Sequence, residues 1–187
     1  MKGPGHPQIL YVPGLLPKPE PEVHRAALLR CLLTGVRRLD AKVAEEIESQ
    51  PGAFDLVSWT YDFYREHRDM AIDAAAIDAV IEQPTASKKD VAEVTSWKRQ
   101  LARGVYTLGD MLPFLIPHVA SEQTEVHLRD LRRYQRDDNG IGTHTRRMLK
   151  VPLRAATEAR RPVLLIGHSM GSVIAYDSLW ELSHVGR

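Results

Sequence analysis

The segment from Val163 to Leu182 constrains the fold of this chain more than any other part of the sequence. Four consecutive apolar residues, Val163 to Ile166, lead into Gly167-His168-Ser169-Met170-Gly171, and an apolar helical pattern then runs from Ser172 to Leu182. A short apolar run without alternation is typical of a strand that is covered on both faces, inside a parallel sheet. The segment therefore predicts a buried strand, a sharp turn and a helix, in that order.

The two glycines of this turn have a steric explanation. A turn from strand to helix this tight leaves no room for side chains two residues before and two residues after its centre, where Gly167 and Gly171 stand. Ser169 at the centre is pushed outward, and the helix that follows directs free N–H groups, that of Met170 first, toward any negative charge beside it.

A simpler interpretation makes Ser169 an ordinary helix N-cap and the glycines mere packing residues. The simultaneous agreement of strand, turn and helix favours an exposed, functional serine instead. His168 is next to Ser169 in the sequence but points the other way in the turn, which predicts a wall or core residue.

The rest of the chain alternates strands with helices. Gln8 to Val12 predicts a strand that ends at Pro13-Gly14, and apolar residues from Leu28 to Ile47 recur at helical spacing until Pro51-Gly52. Phe54 to Thr60 predicts a second strand. This alternation indicates an α/β fold.

Residues 62–139 predict a helical insertion of charged character. Its apolar positions recur at helical spacing and include Met70, Ala74, Ile77, Ile81, Val94, Leu101, Val105, Leu108, Leu112 and Leu115. Asp137-Asp-Asn-Gly140 predicts a turn, and it lacks the alternating oxygen ligands of a calcium loop, so no metal is expected. Ile141 to Ala159 predicts a helix that bends at Pro152. The core would then comprise residues 1–61 and 140–187.

Charge and composition exclude several classes of partner. Twenty-five basic and 24 acidic residues give a formal net charge of +1, so neither nucleic acid nor an anionic membrane is an expected partner. The one cysteine, Cys31, lies in an apolar helical stretch and predicts a buried side chain in a reducing compartment. The N-terminus lacks the features of a signal peptide, and no stretch approaches the length of a membrane span. These features predict a cytoplasmic protein without stable membrane insertion.

The turn around Ser169, together with Tyr11-Val-Pro-Gly-Leu-Leu16, resembles the α/β-hydrolase superfamily, especially its lipase- and esterase-like members. The resemblance implies a parallel sheet with flanking helices, with the helical insertion as a cap or lid. It implies Ser169 as the nucleophile, the N–H groups of Met170 and Leu15 as the oxyanion hole, and Gly14 as the residue that permits close approach. The implied substrate is a small-molecule ester or lipid, without cofactor or metal.

The sequence departs from the family after the nucleophile. Family members place an acidic residue and then a histidine on loops after later strands, whereas Met170–Arg187 offers Asp177, interpreted as a helix-surface carboxylate, and His184, interpreted as a residue near a helix end. The later strands are also not evident. We therefore expect an N-terminal portion of a hydrolase, with an exposed sheet edge open to self-association and very weak esterase activity on its own. Clear turnover by the chain alone would point to an unexpected base such as His118, His144 or a second chain.

Two alternatives stay open. A close variant transfers the acyl group to an acceptor other than water. A different class is a non-catalytic, hydrolase-like module that binds a protein through its helical insertion. A nucleotide site is excluded, because Gly167 to Gly171 has neither a following Walker lysine nor the glycine spacing of a dinucleotide fold.

Overall fold

A computed structural model describes residues 5–83 and 122–184, together with residues 88, 89, 92 and 95. The chain forms two compact units, one of Met1–Ala75 with Asp130–Arg187 and the other of Ala76–Arg129. The predicted core of 1–61 and 140–187 thus lies within a first unit that also takes in residues 62–75 and 130–139. The role of the insertion as a cap stays a prediction.

Three parallel strands form the sheet in the described part of the first unit. Strand β1, Gln8–Val12, lies between β2, Phe54–Leu56, and β3, Val163–Gly167. Ile9 pairs with Phe54 on one side and with Leu164 on the other. Parallel neighbours need long crossover connections, which the helices supply. The prediction of an α/β fold with a parallel sheet and flanking helices is confirmed at this level.

Two helices, not one, connect β1 to β2. Helix α1 spans Pro21–Leu39 and helix α2 spans Ala41–Ser49, so the single predicted helix through Ile47 is wrong. Asp40 separates them with an extended backbone, φ −150°, and its carboxylate accepts hydrogen bonds from the N–H groups of Lys42 and Val43. This N-cap starts a new helix without disturbing the apolar spacing that predicted a continuous one.

The second predicted strand is shorter than expected. It ends at Leu56, and Thr60–Tyr64 forms helix α3. Trp59, which was predicted to continue the strand, has helical backbone angles and is fully buried. Its indole N–H donates to the Pro13 carbonyl oxygen at 2.9 Å, so this side chain supports the segment that follows β1.

Three further helices complete the regions 62–83 and 122–161. They are α4, Ala71–Glu82; α5, Glu122–Gln135; and α6, Ile141–Glu158, with Pro152 inside it. The predicted turn at Asp137 is present, and its carboxylate accepts from both the N–H and the hydroxyl of Thr143 at 2.7 Å. These two bonds hold the pKa of Asp137 below its usual value. The predicted helical positions from Val94 to Leu115 lie outside the described residues.

Helix α7, Met170–His184, follows β3 and packs against the core along one side. Its buried residues are Met170, Gly171, Ile174, Ala175 and Ser178. Met170, Ile174 and Ala175 join the hydrophobic core, whose other members include Leu10 and Val12 of β1, Trp59 before α3, Phe63 of α3, and Leu149 and Leu153 of α6. None of the helices in the described part is long and apolar enough to cross a bilayer.

The predictions of burial for Cys31 and for both faces of β3 are wrong. Cys31 is exposed, because α1 turns Leu33 and not Cys31 into the core. Strand β3 is not covered on both faces, because Leu164 is 58% exposed. It is also an edge strand of the described sheet, where it pairs only with β1. An apolar run without alternation indicates a buried strand in general, but it does not show which of its neighbours are present.

Candidate functional site

The carboxyl ends of β1 and β3 meet at one edge of the sheet. Val12, the last residue of β1, is paired in register with Gly167, the last residue of β3. From β1 the chain crosses to β2 on one side, and β3 is later added on the other side of β1, so the direction in which strands are added reverses at β1. In open parallel sheets, a reversal of strand order leaves a crevice beyond the carboxyl ends of the strands, which is the usual position of a ligand site. The turn that carries Ser169 lies at this point.

Ser169 has a strained backbone and an exposed side chain. Its φ of +52° lies in the left-handed region, which costs a non-glycine residue on the order of 1–3 kcal/mol. A helix N-cap has an extended backbone and an oxygen that accepts from the first turn, whereas no hydrogen bond of the described residues uses the Ser169 hydroxyl. The conformation is therefore that of a sharp turn, not of an N-cap.

Close packing against β1 holds this turn in place. The His168 N–H donates to the Val12 carbonyl oxygen at 3.0 Å. A Cβ atom at Gly171 would overlap the same Val12 oxygen, and one at Gly167 would lie 2.8 Å from the Ser172 Cα atom. Both positions thus require glycine, because any side chain there would overlap backbone atoms.

The segment after β1 lies directly beside the serine. A Cβ atom at Gly14 would lie 3.0 Å from the Ser169 Cβ atom and 3.0 Å from the His168 Nδ1 atom. The absence of a side chain at Gly14 therefore permits this segment to approach Ser169 closely, as the family resemblance implied. Leu16, two residues later, has a φ of +74°, which is unusual for a bulky side chain.

Backbone N–H groups near the serine are available for a ligand. No described hydrogen bond uses the N–H of Met170, the first residue of α7, or that of Leu15. The neighbouring N–H of Leu16 is already donated to the Tyr64 hydroxyl at 3.1 Å. Of Leu15 and Leu16, therefore, only Leu15 has an N–H that no hydrogen bond of the described residues uses.

The histidines of the described part do not reach the Ser169 hydroxyl by a hydrogen bond. His168 is exposed, so a core position is wrong for it, although its ring does flank Gly14. His184 ends α7 and lies with its Nδ1 atom 2.9 Å from the Trp180 carbonyl oxygen. His144 pairs with Asp62 at 2.8 Å. His118 lies outside the described residues.

Asp177 has a structural partner. It accepts a hydrogen bond at 2.8 Å from the hydroxyl of Tyr134, a buried side chain of α5. Burial raises the pKa of that phenol, and Asp177 raises it further, although Arg146 opposes this. The carboxylate thus anchors α7 to α5. In the described part of the chain, no group of three or more His, Cys, Asp or Glu side chains could hold a metal ion.

The sequence did not single out the residues that support the loop at Gly14. They are Trp59, Tyr64 and Lys18, whose side chains bond to the backbone of Pro13, Leu16 and Leu15 respectively. The contacts of Trp59 and Tyr64 join residues more than forty positions apart in the chain. The dense aromatic run from Trp59 to Tyr64 was the only available signal.

Comparisons of the chain with models of protein families, with curated proteins and with solved structures found no match.

Gly171→Ala should destabilise the fold by more than about 2 kcal/mol, because the added methyl group overlaps the Val12 carbonyl oxygen. Gly35→Ala is the matched control: a Cβ atom there has open space, and the residue lies within α1. The control should stabilise by about 0.5–1 kcal/mol through helix propensity. Urea denaturation measures both changes, and equal effects at the two sites would contradict the packing described for the turn.

Ser169→Gly should be more stable than Ser169→Ala by about 1 kcal/mol, because glycine adopts a positive φ without strain. At Ser172, which lies within α7, the order should reverse, since alanine is the better helix former. Free energies of unfolding of the four variants provide the test. The left-handed conformation at Ser169 is disproved if alanine is the more stable replacement at both positions.

Proposed function

We propose that this chain is a serine hydrolase of the α/β-hydrolase type, lipase- or esterase-like, in which Ser169 attacks the carbonyl carbon of a carboxylic ester. The observation that carries the proposal is the left-handed backbone of Ser169, φ +52°, with its side chain exposed between β3 and α7. Strained residues at strand ends are a recurrent feature of active sites. A tight strand-to-helix turn that exposes a serine is the nucleophile elbow of this superfamily.

The chemistry follows from the groups around the serine. The Ser169 oxygen forms a bond to the carbonyl carbon, a general base takes the hydroxyl proton, and the carbonyl oxygen gains the negative charge. The N–H groups of Met170 and Leu15 are the proposed donors to that oxyanion. Each such donor lowers the barrier by about 2.7–4 kcal/mol. Collapse expels the alcohol with the proton, and water then hydrolyses the acyl-serine.

The general base is the part of this mechanism that the described residues do not supply. No histidine of that part is hydrogen bonded to the Ser169 hydroxyl. A positioned general base contributes about 10²- to 10⁴-fold to the rate. An oxyanion hole alone retains about 10³- to 10⁴-fold over water in serine proteases. We therefore expect selective but slow reaction at Ser169.

The same turn is compatible with a second candidate function. A non-catalytic, hydrolase-like module would keep the turn at Ser169 for packing and bind a protein through its helical insertion. Transfer of the acyl group to an acceptor other than water is a variant of the first proposal, since both begin with an acyl-serine. Reactivity of the Ser169 hydroxyl separates the catalytic candidates from the binding module.

Ser169 should be the residue that an alkyl fluorophosphonate modifies. The Ser169 oxygen forms a bond to phosphorus, fluoride leaves, and the proton passes to solvent or to the base. Peptide mass spectrometry of the labelled chain should place the adduct on Ser169, and Ser169→Ala should abolish it. Ser172→Ala is the matched control, because the Ser172 hydroxyl is donated to the Gly167 carbonyl oxygen. An unmodified Ser169, at reagent concentrations that label other serines, would favour the binding module.

Hydrolysis of a short-chain ester such as 4-nitrophenyl butyrate should be slow. A typical kcat of about 10 s⁻¹ would fall to roughly 0.001–0.1 s⁻¹ without general base catalysis. Ser169→Ala should remove this residual turnover. A rate near that of a complete triad enzyme, lost in Ser169→Ala, would contradict the expectation of slow turnover and direct attention to His118, His144 or a second chain as the base.

A further inference from the structure

The peptide between Leu15 and Leu16 is held by hydrogen bonds at both ends. Its carbonyl oxygen accepts from the Lys18 ammonium at 2.6 Å, and its N–H donates to the Tyr64 hydroxyl at 3.1 Å. Upstream, the Pro13 carbonyl oxygen accepts from the Trp59 indole. The Leu15 N–H, the proposed oxyanion donor, therefore lies between two fixed points of the backbone.

Tyr64 has both of its hydrogen-bonding roles filled. Its hydroxyl oxygen accepts from Leu16 and its proton is donated to the Asp130 carboxylate at 2.9 Å. Asp130 is 2% exposed and belongs to α5, within the same compact unit as the sheet. The bond to Asp130 thus fixes the orientation of the hydroxyl group that accepts from the loop. A hydrogen bond from a phenol to a carboxylate is also stronger than one between two neutral groups.

Lys18 fixes the other end of the same peptide. Burial lowers the pKa of its ammonium, Arg68 lowers it further, and Asp73 raises it. Partial removal of this group from water strengthens its hydrogen bond to the Leu15 carbonyl oxygen. The two side chains pull the peptide from opposite sides, so its plane cannot rotate without breaking a bond.

The strain at Leu16 shows that this restraint is needed. Its φ of +74° is unfavourable for a bulky residue by about 1–3 kcal/mol, and such conformations persist only where the surroundings impose them. The side-chain hydrogen bonds that the described residues make to this peptide are those of Tyr64 and Lys18. Without them the loop would relax and the Leu15 N–H would turn.

We propose that Tyr64, oriented by Asp130 and assisted by Lys18, is a positioning residue for the oxyanion hole: it fixes the Leu15–Leu16 peptide so that the Leu15 N–H faces the oxygen that develops beside Ser169. This inference rests on the proposed function of Ser169. It assigns no direct contact with substrate to Tyr64, whose hydroxyl is already fully engaged.

Tyr64→Phe tests the inference, with Tyr61→Phe as the matched control on the same helix. Tyr61 is 42% exposed and stacks on His67 through its ring, which phenylalanine preserves. In Tyr64→Phe the maximal labelling rate of Ser169 by the fluorophosphonate should fall about 10- to 100-fold, with an unchanged half-saturating concentration. In Tyr61→Phe neither quantity should change.

Amide hydrogen exchange of Leu16, followed by NMR, gives a reading that does not depend on reactivity. Loss of one hydrogen bond should accelerate exchange at Leu16 about five- to tenfold in Tyr64→Phe. Both experiments are run on variants shown by circular dichroism to be folded. Exchange at core amides such as Leu10 should stay as in the wild type, which separates local release of the loop from general destabilisation.

Lys18 provides a second, independent pair of variants. Lys18→Met removes the donor but keeps the apolar stem, and should slow labelling in the same way as Tyr64→Phe. Lys18→Arg keeps a donor and should restore most of the rate. Rescue by arginine distinguishes a positioning bond from a merely structural role of the stem.

The outcomes separate this inference from the proposed function. Wild-type labelling that is unchanged in Tyr64→Phe and Lys18→Met overturns the positioning role and leaves the nucleophile intact. Absence of wild-type labelling overturns the proposed function, and Leu16 exchange then decides whether Tyr64 holds the loop. If amide exchange at Leu16 is unchanged in Tyr64→Phe, Tyr64 does not restrain the loop either.

Discussion

The close approach of β1 to the turn after β3 is the constraint on which the site depends. The Val12 carbonyl oxygen accepts from the His168 N–H and occupies the space that a side chain at Gly171 would need. Because β1 is the central strand of the described sheet, this contact fixes the turn to the middle of the fold. The left-handed backbone of Ser169 is the consequence, and its exposed side chain follows from that backbone.

Local rules predicted the elements that carry this contact. The bounds of β1 agree with the sequence pattern residue for residue, and β3 extends one residue beyond the predicted Ile166. Apolar β-branched runs that end at glycine or proline are short-range signals, and they need no knowledge of the rest of the chain. The same rules wrongly predicted one continuous helix in place of α1 and α2. The apolar spacing continues across Asp40, whereas the Asp40 side chain caps the start of a new helix.

Long-range contacts account for what the sequence could not predict. The bonds from Trp59 to Pro13 and from Tyr64 to Leu16 each join residues far apart in the chain, and no periodicity reveals them. The predicted burial of Cys31 and Leu164 is wrong for a related reason. An apolar pattern in the sequence does not show which other parts of the chain cover those side chains. The resemblance to the hydrolase superfamily implied a close approach at Gly14, and Gly14 does lie beside Ser169, whereas neither pattern nor resemblance indicated the side chains that hold its loop.

Two strained residues, Ser169 and Leu16, lie on the adjoining segments of this site, and each is held by contacts that the rest of the fold supplies. A crystal structure of the chain after reaction with a fluorophosphonate tests the central claim most directly. We expect phosphorus on the Ser169 oxygen, a positive φ at that residue, and the phosphoryl oxygen about 2.7–3.1 Å from the N–H groups of Met170 and Leu15. A right-handed or extended Ser169 whose hydroxyl caps α7, or a phosphoryl oxygen that faces solvent, would contradict it.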